Sequence, residues 1–219
     1  MWKFNYKIIN KNYKKAYEVN VIGTNNLINS LIKKENKPKW LFFSSTSHVY
    51  KPLDKFKKIS EKSKLDPASK YGKTKILAEK LILKKLKKYP IKVCIGRIFS
   101  FTDKKQKEPF VIPTIKKKLK NSKKKIVFKN INHFRDFLST DDIISAIYIL
   151  MKTSKFGIYN IGSGKKFDLR KIVKLFNKNN KDIVFRNTER PTYLISNNNK
   201  LLKTKWCPSK FKDNIKYFY

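Results

Sequence analysis

Trp40-Leu41-Phe42-Phe43-Ser44-Ser45-Thr46-Ser47 is the stretch whose reading decides the fold. Four large apolar residues follow one another without alternation, then give way to four hydroxyl side chains. A short unbroken apolar run is what a strand covered on both faces requires, as strands of parallel sheets are, and the polar residues mark its carboxyl end. Upstream, residues 13–33 read as a helix, with Val19, Ile22, Leu27 and Leu31 recurring near helical spacing, and Lys37-Pro38 closes it. Downstream, a loop carrying Pro52 and Pro67 leads to a second helix from about Ser69 to Lys88. Residues 91–99 make the next strand, 113–120 a short helix and 126–128 a short strand. Phe137-Leu138-Ser139 runs into Thr140-Asp141-Asp142, which caps a helix through Ile149. Residues 157–162 form a strand, 169–177 a helix and 183–185 a strand. Strands and helices alternate at crossover spacing, so an α/β fold with a parallel sheet is expected. Ligands of such sheets bind beyond the carboxyl ends of the strands, where Ser44 to Ser47 lie.

The chain has 219 residues, 40% of them hydrophobic, enough for a substantial core. No apolar run is long enough to span a bilayer, and the first seven residues do not read as a signal peptide. Two cysteines, Cys94 and Cys207, form no CxxC pair, which fits a reducing cytoplasm and offers no metal framework. Cys94 is expected to pack as a small apolar residue. The formal net charge of +39 first suggests a nucleic-acid binder. However, the charge is almost all lysine, spread along the chain, with arginine only at 97, 135, 170, 186 and 190. Abundant Asn, Ile, Phe and Tyr accompany it, the set that A/T-rich codons encode. Selection for phosphate or base recognition favours arginine, whose planar fork binds both bidentately. Salt-sensitive sticking to polyanions is expected, and specific nucleic-acid recognition is not.

The chemistry centres on Tyr71-Gly72-Lys73-Thr74-Lys75 at a helix start. Tyr71 and Lys75 are four residues apart and share one helical face. An ammonium beside a phenol stabilises the phenolate and makes a general acid or base for an alcohol–ketone pair. Taken alone, this spacing also fits an ordinary exposed helix turn. Its context is more specific. Asn20-Val21-Ile22-Gly23-Thr24 comes first, then Ser44-Ser45-Thr46-Ser47-His48-Val49-Tyr50, then Pro67-Ala68-Ser69-Lys70-Tyr71-Gly72-Lys73-Thr74-Lys75. Arg135-Asp136-Phe137, Asp141-Asp142, residues 159–164, Arg190-Pro191 and Trp206-Cys207-Pro208 follow. In this order and spacing the chain resembles the NAD(P)-dependent epimerase/dehydratase family, the extended short-chain dehydrogenase/reductases that act on nucleotide sugars, along nearly its whole length.

That resemblance implies roles. Thr46 orients a substrate hydroxyl, Tyr71 is the acid/base, and Lys75 lowers the phenol's pKa and holds the nicotinamide ribose. Asn20 supports the lysine and the cofactor. Ser44, Phe99 and Ser100 fall where the family meets the nicotinamide cofactor. Arg135 and Arg190 clamp the substrate diphosphate, a task suited to guanidinium, although Thr192 and Tyr193 stand where an aspartate usually follows Arg190-Pro191. Ser47 and His48 replace the acidic pair that dehydratases carry after the threonine. This departure favours an epimerase or reductase of a nucleoside-diphosphate sugar, with His48 as a loop-packing residue. A homodimer through residues 14–33 and 70–88 is implied, and no metal.

The family's glycine-rich turn, which cradles the dinucleotide pyrophosphate, has no counterpart: Gly23 is the only glycine before Ser44. The expected fold is therefore an incomplete Rossmann-like parallel sheet, its first four strands missing, with a small C-terminal α/β substrate-binding region. About 70 residues would be absent, at roughly 30 residues per βαβ unit. Residues 1–100 and 135–165 are assigned to the truncated NAD(P)-binding part, and 101–134 and 166–219 to the nucleotide-sugar region. NAD or NADP would meet only its nicotinamide half-site. A complementing N-terminal fragment is one expected partner. A non-catalytic remnant of the family and a basic polyanion binder are the alternatives.

Overall fold

The computed structural model describes residues 13–121 and 125–209. Its central sheet is parallel, in the order β1 (Trp40–Thr46), β2 (Lys92–Ile98), β7 (Gly157–Ile161). Registers such as Phe43↔Ile95, Ser45↔Arg97 and Arg97↔Asn160 place the strand tips side by side. Helix α3 (Lys70–Leu86) makes the crossover from β1 to β2, and α5 (Thr140–Lys152) returns to β7. β1 extends to Thr46, three residues past its apolar run. Its last residues still pair with β2, and the Thr46 side chain then accepts from the His48 N–H to cap a single 3₁₀ turn, Ser47–Val49.

Both faces of the sheet are covered. On one face Leu41, Phe43 and Val93 meet Ile28, Ile82 and Leu86 of the helices. On the other, Trp40, Phe42 and Cys94 meet Ile143, Ala146 and Leu150 of α5. This is the packing demanded by an unbroken apolar strand. Among the described residues β1 pairs only with β2, so its other edge carries no partner strand.

The first helix is not uniform. It begins as α1 (Tyr13–Tyr17), widens into a π-helical turn (Glu18–Ile22) and resumes as α2 (Gly23–Lys33). The apolar period is unable to report such a widening, because it changes which backbone carbonyl each N–H meets and not the order of the residues. The cap of α5 is Ser139, one residue earlier than the sequence suggests. Its hydroxyl accepts from the Asp142 N–H at 3.0 Å and the Asp142 carboxylate answers the Ser139 backbone, a reciprocal capping box.

A second layer follows the sheet. β3 (Ser100–Thr102) pairs with β6 (Phe137–Ser139), and β4 (Lys125–Lys129) with β9 (Asp182–Arg186), both in parallel. Helices α4 (Val111–Asn121) and α6 (Leu169–Phe176) cover the second pair through Ile115, Phe128, Ile172 and Val173. β5 (Phe134–Arg135) lies between β8 (Phe167–Asp168) and β10 (Tyr193–Leu194), and α7 (Asn199–Leu202) ends the described elements. No helix among the described residues is long and apolar enough to cross a membrane.

Candidate active site

The site is assembled where α3 begins against the tip of β1. Ser69, extended at φ −128°, accepts from the Gly72 N–H at 3.0 Å and starts the helix. Gly72 lets that first turn press onto the 46–49 segment. A Cβ there would lie 2.2 Å from the His48 carbonyl oxygen and 2.8 Å from Pro67 Cβ. The close approach brings Thr46 and Tyr71 together, near enough for the Thr46 side chain to favour the phenolate. Burial pushes the Tyr71 phenol above its ordinary range, and the Thr46 hydroxyl opposes that shift. The His48 ring stands edge-on to Tyr71, with centroids 6.3 Å apart.

Lys75, one turn on, is 9% exposed, and its ammonium lies 4.2 Å from the centre of the Phe43 ring. Burial holds it down to about 8, while the negative charge of Glu79 works the other way. Asn20, on the π-helical turn, donates to the Thr74 hydroxyl at 3.0 Å, so its contact is with the residue before Lys75. Ser44 is exposed at the strand tip and Ser100 is half-buried. The Phe99 side chain is 3% exposed and packs in the core with Val49, Tyr50, Ile59 and Leu194. What it can offer a ligand is therefore its backbone.

The two arginines lie near one segment and differ in how they are held. Arg135 donates through Nη1 to the carbonyls of Phe134 (2.7 Å) and Thr192 (2.9 Å), and through Nη2 to the Thr192 hydroxyl (3.2 Å). Its charge helps burial lower His48 to about 4, so His48 is neutral near pH 7 and Arg135 lies on the His48–Tyr71 side of the fold. Arg190 is exposed, two residues before Thr192. Asp136, fully buried, accepts from the N–H and hydroxyl of both Ser163 and Ser196 and from the Gly164 N–H. Five donors converging on one carboxylate pin the loop after β7 and the 195–197 segment to the strand that carries Arg135.

Sequence reasoning missed a polar network beneath these residues, formed by Glu79, Arg97, Tyr50 and Asn160. Arg97 grips Glu79 with Nη2 at 2.7 Å and Nε at 3.1 Å, and donates to the Tyr50 hydroxyl at 2.8 Å. Tyr50 donates in turn to Asn160 at 2.8 Å. One signal was legible: Arg97 is the lone charge in the apolar strand interior Val93-Cys94-Ile95-Gly96-Arg97-Ile98, and a charge there must be paired.

Four likenesses to known proteins bear on the chain. The family model described as GDP-mannose 4,6 dehydratase matches residues 10–213. The chain belongs to the NAD-dependent epimerase/dehydratase family of extended short-chain dehydrogenase/reductases. The dTDP-D-glucose 4,6-dehydratase of Dictyostelium discoideum is 31% identical over 160 residues, covering 68% of this chain and 36% of that protein. The UDP-glucose 4-epimerase of Lactobacillus helveticus is 28% identical over 181 residues, covering 72% and 54%. Among solved structures, a dTDP-glucose 4,6-dehydratase from Bacillus anthracis in complex with NAD superposes with a TM-score of 0.80 at 26% identity, over 92% of this chain and 67% of that one. The fold is thus a mixed α/β, Rossmann-like partial sheet. The chain spans roughly a third to a half of the curated relatives it matches.

Proposed function

We propose that this chain carries the catalytic and sugar-nucleotide half of an NAD(P)-dependent epimerase or reductase of a nucleoside-diphosphate sugar. The observation that carries the reading is the packing of the start of α3, with Tyr71, against Thr46 at the carboxyl end of a parallel strand, with Lys75 one helical turn away. Thr46 would orient a sugar hydroxyl, and Tyr71 would take its proton. Lys75 would stabilise the resulting phenolate against the burial that now raises the phenol's pKa. Nicotinamide, when bound, supplies the hydride acceptor and a second positive charge near the phenol. Ser44, Ser100, the Phe99 backbone and Asn20 are the residues proposed for that end of the cofactor, and Arg135 and Arg190 for the substrate diphosphate. Neutral His48 stands where dehydratases carry an acidic residue, which favours epimerisation or reduction over loss of water. Residues 1–100 and 135–165 are proposed as the cofactor part, and 101–134 and 166–219 as the nucleotide-sugar part.

The edge of β1 that has no partner strand among the described residues and the absence of a glycine-rich turn favour a companion reading. The chain alone binds the dinucleotide weakly, and an added segment is needed to complete the sheet. Ile144, Tyr148 and Met151, spaced to share one face of α5, are exposed and offer that segment an apolar surface. A homodimer is proposed through residues 14–33 and 70–88, where Val19, Ile22, Leu27, Leu77 and Leu83 are exposed.

The test is to supply the glycine-rich N-terminal segment of an epimerase relative as a separate chain. UDP-sugars and dTDP-sugars are then offered with NAD or NADPH, and products are read by chromatography. Turnover should appear only in the mixture, and Tyr71→Phe should lower it by roughly 10²–10⁴-fold, the usual contribution of a positioned acid/base. Saturation-transfer NMR showing no nucleotide sugar bound to the chain, with or without the added segment, defeats the reading.

A further inference from the structure

Glu79 follows Lys75 by one helical turn on the buried face of α3, the spacing at which a lysine and a carboxylate pair along a helix. Here they do not pair. Among the described residues the ion-pair partner of Glu79 is Arg97, on β2, and both side chains are 3% exposed. The guanidinium takes the carboxylate as a fork: Nη2 donates to Oε2 at 2.7 Å, and Nε reaches Oε1 at 3.1 Å and Oε2 at 3.3 Å. Ser45, the neighbour of Thr46, donates to Oε1 as well. The remaining Arg97 amino group, Nη1, is directed to the Tyr50 hydroxyl at 2.8 Å and the Glu61 carbonyl at 3.2 Å. The Glu61 carboxylate accepts from the Asn160 N–H at 2.9 Å. The network therefore spans α3, the tips of β1, β2 and β7, and the loop between β1 and α3.

A buried ion pair is a poor source of stability, since desolvation offsets most of its attraction. Its placement points to another effect. A carboxylate left alone beside an ammonium in a low-dielectric interior would draw it in. Lys75 instead has its ammonium over the Phe43 ring at 4.2 Å, on the helix face it shares with Tyr71.

We propose that Arg97 is a positioning residue: by holding Glu79 in a bidentate grip it keeps that carboxylate from capturing Lys75, and so leaves the ammonium available to Tyr71. This rests on the acid/base reading of Tyr71 and Lys75, and it adds the device that keeps the pair together. The titrating and charged groups around Lys75 are Tyr71 and Glu79 on its own helix and Arg97 on β2. Tyr50 and Glu61 lie beyond Arg97, and His48 lies across Tyr71. The π-helical turn contributes Asn20, which carries no charge.

The experiment follows the acylation of Lys75 against pH by competitive labelling and peptide mass spectrometry, on the full chain. This reports one lysine and needs no turnover. In the unaltered chain Lys75 should titrate near 8, below the ordinary lysine value. Arg97→Gln should release Glu79 and raise that midpoint by about one pH unit or more, the effect of an opposite charge within a few ångströms. Glu79→Gln should lower it. Arg97→Lys, which keeps the charge and loses the fork, should raise it by less than Arg97→Gln. Circular dichroism establishes which variants are folded, and if Arg97→Gln is not, Glu79→Gln and Arg97→Lys decide. A folded variant whose Lys75 midpoint stays at the unaltered value overturns the positioning role while sparing the acid/base reading. Undiminished turnover of Tyr71→Phe in the completed mixture overturns the acid/base reading itself.

Discussion

A single side chain can be placed by its chemistry and still need its neighbours to set its charge. His133 is fully buried. Its Nδ1 accepts from the Thr192 N–H at 3.2 Å, and Nε2 lies 4.0 Å from the Glu189 carboxylate. Burial, aided by the charge of Arg135, holds it down to about 3. A histidine lowered in the folded state takes its proton first in the unfolded chain. Stability from this residue is thus intact above pH 6.5, and it is lost progressively as pH falls from there toward 3. Urea unfolding at pH 7 and pH 5 should differ by on the order of 1–2 kcal/mol from His133 alone, and His133→Gln should flatten that slope. An unchanged slope in the variant means the residue is not buried neutral. The chain has only two histidines, so their ring C–H signals in NMR are readily told apart by one substitution, and neither should move between pH 8 and pH 6.

At the scale of elements, the start of α3 carries most of the site. Tyr71 and Lys75 share a face by helical periodicity, and this was readable from spacing. What brings that face to Thr46 is Gly72, whose missing side chain admits the His48 carbonyl. Gly72→Ala improves local helix propensity by about 1 kcal/mol. It also drives a methyl into backbone that has little room to give, and overpacking of this kind costs about 1–3 kcal/mol. The expected outcome is a lower denaturant midpoint, together with separation of Tyr71 from Thr46. The phenol titration, followed by ultraviolet absorbance, would then shift for one tyrosine. A variant as stable as the parent would show that the helix and the 46–49 turn can part freely. The π-helical turn at Glu18–Ile22 and the 3₁₀ turn after β1 were not readable, since both depend on which backbone groups meet and not on an apolar period.

For the whole molecule, the net charge of +39 is the dominant long-range term. Like charges spread over one compact body repel one another and favour expansion, and salt screens that repulsion. Raising sodium chloride from about 0.05 M to about 0.3 M should therefore raise the Tm by a few degrees, where a charge-balanced domain would barely respond. A Tm that falls with salt would mean that specific ion pairs outweigh the repulsion. The described ion pairs are few, and the buried one, Arg97–Glu79, is the pair that salt reaches least. The same screening removes the repulsion between copies, so the edge of β1 left without a strand among the described residues and the exposed face of α5 should make themselves felt at high salt as association.

By itself the sequence determined the alternation of strands and helices, the burial of β1 on both faces and the shared face of Tyr71 and Lys75. Each of these follows from local periodicity and from the cost of exposing apolar surface. Only the tertiary structure decided that Thr46 and Tyr71 meet, that Phe99 turns into the core, that Arg135 is tied to the Thr192 segment and that Glu79 belongs to Arg97 and not to Lys75. These pairings join residues far apart in the chain. Several partners lay within chemical reach of each group, and only the packed interior chose among them.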